Sequence, residues 1–127
     1  MGLRPAGMTV TALVLVAACG GGGTTNPPNP PPSAVTINLD GSAAGAFSPV
    51  VDTLAVGGTV TWQWDQFTHD VTSFGDPGFI DIPSHTGVQA PQTIFPNPGT
   101  YKFVCLSHGT NPTPATCSGM CGTLVVK

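Results

Sequence analysis

From Ala34 to the C-terminus the chain alternates apolar and polar residues in short runs. "AVTINL" puts Val35, Ile37 and Leu39 on one face. "GGTVTWQW" gathers Val60, Trp62 and Trp64 and leaves Thr61 and Gln63 opposite. "GTYKFVC" gathers Tyr101, Phe103 and Cys105. "FSPVV", "TLAV", "HDVTS", "QTIF" and the closing "GTLVV" are further short runs of strand-forming residues. A period of two is the mark of a half-buried strand, and no stretch carries the 3.6 period of an amphipathic helix. Gly57-Gly58, Asp76-Pro77-Gly78 and Pro98-Gly99 punctuate the runs as turns. The pattern predicts an all-β Greek-key sandwich of about seven strands. Trp62 and Trp64 read as core residues without chemistry of their own.

The pattern changes before residue 34. "MGLRPAGMTVTALVLVAAC" has one positive side chain, Arg4, and then an apolar run from Val10 to Ala18. That run suits the apolar part of an export signal and is too short to span a bilayer as a helix. Its end, "VAAC", resembles the lipobox of bacterial lipoproteins, which implies a lipid on Cys19 as the first mature residue. An ordinary signal peptide cut near "VAA", with Cys19 a bystander, is the alternative. Residues 20–33, "GGGGTTNPPNPPPS", combine flexible glycines with prolines that favour polyproline II and cannot build a core. The expected organisation is a signal peptide over 1–18, a disordered Gly/Pro-rich tether over 19–33 and one domain over 34–127. The expected location is the outside of a bacterial membrane, facing the periplasm or the cell exterior, with a lipid anchor.

Past Cys19 the only cations are Lys102 and Lys127, against Asp40, Asp52, Asp65, Asp70, Asp76 and Asp81. This acidic balance argues against nucleic acid as a partner. No nucleophile elbow, phosphate loop or zinc-protease motif is present, and a Cys105–His108 nucleophile lacks an orienting third group. An enzyme is not expected.

The chemistry concentrates in "YKFVCLSHGTNPTPATCSGMCGTLVV", residues 101–126, with three of the four cysteines. In an oxidising compartment thiols pair. Cys117 and Cys121, four residues apart, can reach disulfide range in a tight turn. Cys105 would then be an inward, unpaired thiol, either an inert buried group or a metal ligand protected by its metal. Three metal readings are open. Zinc could take Cys105, His108, Cys117 and Cys121. A binuclear copper centre could use the C-x3-C loop "CSGMC", although no histidine and methionine follow it. A mononuclear blue copper site needs two imidazoles, one thiolate and a weak thioether, and His69, His108, Cys105 and Met120 supply them. His85, in "IPSHTGVQ", reads as an exposed loop histidine.

"GGTVTWQW…THDVTS", "PGTYKFVCLSHG" and "GMCGTLVV" together resemble the plastocyanin and azurin family of cupredoxins, in the family's order. The resemblance implies a Greek-key sandwich of about seven to eight strands and one type 1 copper ion held by His69, Cys105, His108 and Met120. It implies single-electron transfer to redox protein partners, here membrane-associated ones, by a monomer. A copper-binding or copper-delivery lipoprotein without a shuttle role is the alternative. It is weakened because Met1 and Met8 fall in the signal segment, leaving Met120 alone. The chain departs from the family in the eleven residues between His108 and Met120, "GTNPTPATCSG". The expectation is that a Cys117–Cys121 disulfide gathers this long loop and holds Met120 near the axial position, with Pro112 and Pro114 stiffening the remainder.

Overall fold

A computed structural model of the chain describes residues 27–41, 45–110 and 116–127. Nine strands lie among the described residues: β1 (Ala34–Asp40), β2 (Ala46–Ser48), β3 (Val51–Leu54), β4 (Gly58–Trp64), β5 (Thr68–Phe74), β6 (Ile82–Thr86), β7 (Gln92–Phe95), β8 (Gly99–Thr110) and β9 (Ser118–Val126). They form two sheets, ordered β2-β1-β4-β7 and β3-β9-β8-β5-β6. The all-β sandwich is as the alternation predicts. The strand count exceeds the expectation, and the break falls inside the "FSPVV" run, whose ends go to β2 and β3. β2 pairs with β1 in one sheet while β3 pairs with β9 in the other. The segment around His85 also forms a strand, β6, instead of a loop.

The predicted inward faces fill the space between the sheets. Ile37, Leu39, Val60, Trp62, Trp64, Phe103 and Leu124 are all buried. Trp62 meets Phe103 edge-on with centroids 4.9 Å apart, and Phe47 meets Phe103 edge-on at 4.8 Å. Such edge-to-face pairs are favoured by the ring quadrupoles. The indole nitrogen of Trp62 donates to Thr93 Oγ1 at 3.0 Å, so its polar edge is satisfied.

β1 and β4 run parallel, and both end toward the turn that precedes β5. β8 enters the same end of the sandwich with Cys105, and β9 leaves from it with Met120. Four elements distant in sequence thus converge at one pole. At the opposite pole, Pro32 O accepts from the amide of Ala55 and Ser33 O from that of Thr59. The last two residues of the expected 19–33 tether are therefore already fixed to the body. Residues 1–26, including the expected signal peptide and Cys19, lie outside the described residues, as do Pro112 and Pro114.

Candidate metal centre

His69 is placed by the turn between β4 and β5. Asp65, the residue after β4, accepts the amide of Phe67 at 2.7 Å and also that of Gly41. Its Oδ1 lies 3.1 Å from His69 Nε2. The indole of Trp64 donates to the His69 carbonyl at 3.3 Å. The fully buried His69 ring is thus fixed from both its side chain and its backbone. With Nε2–H on Asp65, the Nδ1 lone pair is left facing inward, the tautomer a metal ligand needs. Burial pushes the Asp65 carboxyl up, but the amides of Phe67 and Gly41 and the His69 ring outweigh it and hold it below the usual carboxylate range.

Cys105 sits on the inward face of β8 with no exposure, and it is the one free cysteine among the described residues. Its Sγ lies 3.8 Å from His69 Nδ1 and 3.5 Å from His108 Nδ1. One ligand atom from each residue falls within 4.8 Å of the others. Donors about 2.0–2.3 Å from one ion stand roughly 3.3–3.8 Å apart, which matches both sulfur–nitrogen separations. Burial pushes the Cys105 thiol up. The amides of Asp70 and Ser107 pull it down, while the Asp70 charge adds to the rise. A metal that displaces the proton relieves this penalty.

His108 is half-buried, so of the two imidazoles it is the one nearer solvent. β8 does not end at Cys105, as the sequence suggests, but continues to Thr110 past a register shift against β9 between Val104 and Gly109. Met120, expected just before the last strand, lies inside β9 and is buried. Gly45 brings its sulfur and His108 together. A Cβ on Gly45 would lie 2.8 Å from His108 Cβ and 3.1 Å from Met120 Sδ. The thioether therefore borders the histidine cluster in spite of the long loop. Cys117 and Cys121 form a disulfide with Cα atoms 6.2 Å apart, so neither thiol is open to the zinc set. Between them Gly119 takes φ 83°. Its missing Cβ leaves room for the His108 carbonyl.

His85 stands directly across the β5–β6 ladder from His69 but is exposed and outside the cluster. Sequence reading missed Asp65 and Asp70, which it counted only as surface charge. Asp70 is buried and accepts from the amides of Leu106 and Ser107 at 3.1 and 3.3 Å. The signal available was their position in "WDQFTHD", one carboxylate on each side of a candidate ligand.

No family model matches the chain, and no curated protein matches it. Solved structures do. The purple cupredoxin from Nitrosopumilus maritimus is 25% identical, with a TM-score of 0.55 over 73% of this chain and 99% of that one. A reduced, Cu(I) form of an amicyanin mutant is also 25% identical, with a TM-score of 0.55 over 74% of this chain and 82% of its own. The chain has the cupredoxin fold and ligand arrangement. In this chain two imidazoles, one thiol and a thioether make the donor set for one type 1 copper ion.

Proposed function

We propose that this cupredoxin is a membrane-tethered blue copper protein that carries single electrons between redox proteins, not an enzyme. The observation that carries the reading is the buried, unpaired Cys105 sulfur, 3.8 and 3.5 Å from two imidazole nitrogens. Copper bound there supplies one-electron Cu(II)/Cu(I) exchange. Cys105 would hold the copper as thiolate, and His69 and His108 would hold it through Nδ1. Met120 would supply the weak thioether donor that tunes the potential. The Cys117–Cys121 disulfide clamps the approach to Met120. Fixed ligands keep reorganisation small when the charge changes. The half-buried edge of His108 is the electron port. Residues 1–18 direct export, and a lipid on Cys19 confines a monomeric domain near membrane-associated redox partners, raising their effective concentration.

A delivery protein would need methionines or histidines exposed for exchange. Met120, the one methionine among the described residues, is buried. Copper titration of the purified protein tests the reading: one ion binds per chain, and Cys105→Ser abolishes the colour. Equal colour in that variant would remove Cys105 from the site. Cys19→Ser releases the protein from membranes, and continued attachment would show another anchor.

A further inference from the structure

Two carboxylates approach the site from outside the ligand cluster, one behind His69 and one behind Cys105. Asp65 Oδ1 meets His69 Nε2 at 3.1 Å. Asp70 gathers five donors while Cys105 keeps its proton, and four once Cys105 is a thiolate. Oδ1 takes the Cys105 thiol at 3.4 Å, the Ser107 amide at 3.3 Å and the Ser107 hydroxyl at 3.4 Å. Oδ2 takes the Leu106 amide at 3.1 Å and the Thr72 hydroxyl at 2.9 Å. Asp70 is 6% exposed, so water competes little for these bonds. The Leu106 and Ser107 amides can only donate, one to each oxygen, so a carboxylate satisfies both, whereas an amide of the same shape would turn its NH2 toward one of them. The donor set therefore selects Asp over Asn at this position.

We propose that Asp65 and Asp70 are positioning residues that fix His69 and Cys105 and, by their charge, favour the more highly charged Cu(II) over Cu(I). The proposal rests on the copper reading. A thiolate and one carboxylate balance Cu(II). The second carboxylate makes the oxidised site negative and the reduced site more so. Each negative charge a few ångströms from the ion, in a medium of low effective dielectric, penalises the added electron. Asp70 also ties the Cys105–Ser107 segment of β8 to β5, holding the sulfur at its observed distance from His69.

The test uses the full chain with Asp65→Asn, Asp70→Asn, Asp70→Glu and, as a control, Asp81→Asn. Asp81 accepts the Ser73 amide and touches neither His69 nor Cys105. Against a one-electron mediator, Asp70→Asn shifts the equilibrium toward the reduced form by about tenfold, which is about 59 mV for one electron. Asp65→Asn shifts it in the same direction. Asp70→Glu restores most of the wild-type value, and Asp81→Asn leaves it within about twofold. In metal-free protein, Asp70→Asn speeds hydrogen exchange at the Leu106 and Ser107 amides. A lower melting temperature with an unchanged potential in both Asn variants would overturn the charge effect. Unchanged exchange would overturn the positioning role. If Asp70→Asn does not fold, Asp65→Asn decides the charge effect alone. A wild type that takes up no copper defeats the copper reading and the charge effect with it, while the exchange result still decides the positioning role.

Discussion

Cys105 Sγ stands 3.8 Å from His69 Nδ1 across a separation of 36 residues. The register of β5 on β8 makes this contact, pairing Thr72 with Val104 and Ser73 with Phe103. These two ligands are fixed by β5 on β8, whereas His108 and Met120 lie where β8 and β9 pair again beyond the register shift. The variants below separate these two parts of the site.

Met120→Leu keeps the colour, because three strong donors remain, and raises the reduction potential by roughly tenfold in equilibrium terms. Spectroelectrochemistry measures both. An unchanged potential would place Met120 outside the coordination sphere.

Gly45→Ala strains a backbone at φ 57° and drives a methyl against the His108 ring carbons. A non-glycine residue in this conformation costs about 1–2 kcal/mol before the clash. Denaturant unfolding of the metal-free protein measures the loss, and the copper spectrum shifts as His108 is displaced. Wild-type stability with a wild-type spectrum would contradict the packing described.

Thiol titration of the unfolded, metal-free Cys19→Ser protein finds one free thiol, Cys105, because Cys117 and Cys121 are bonded. Closing so small a loop is worth about 2 kcal/mol on a chain-entropy estimate. The Cys117→Ala/Cys121→Ala variant loses about that much stability. It also broadens the spread of potentials if the disulfide holds Met120. Three free thiols in the Cys19→Ser protein would contradict the pairing.

The Asp65 carboxyl is held below its ordinary range in the folded protein. A group with a depressed folded pKa contributes stability above its unfolded value, about 3.9, and loses it as pH falls through the folded value. In metal-free protein, the stability gap between wild type and Asp65→Asn is therefore full above about pH 4 and closes below it. Acid unfolding curves of the two proteins check this. A gap that persists at lower pH would mean that the lost bonds are not those of the carboxylate.

The core was legible because it rests on local alternation. β4 reads buried and half-exposed in strict turn from Gly58 to Trp64. The ligand residue types were legible for a similar reason, since soft donors are few in this chain. The division of β2 from β3 was not, because pairing partners such as Val51 with Thr123 are set by tertiary register. His85 was expected in a loop for the same reason, as its strand exists only through its pairing with β5. The roles of Asp65 and Asp70 were hidden because composition cannot tell a surface aspartate from one that turns inward onto five donors. The contact that places Met120 was not legible either, because it depends on Gly45, remote in sequence.

The most direct test of the copper assignment is the visible absorption spectrum of the purified protein loaded with Cu(II). The account predicts an intense blue thiolate band that bleaches reversibly with a one-electron reductant and is absent from Cys105→Ser. A colourless protein that binds zinc in preference to copper would contradict it.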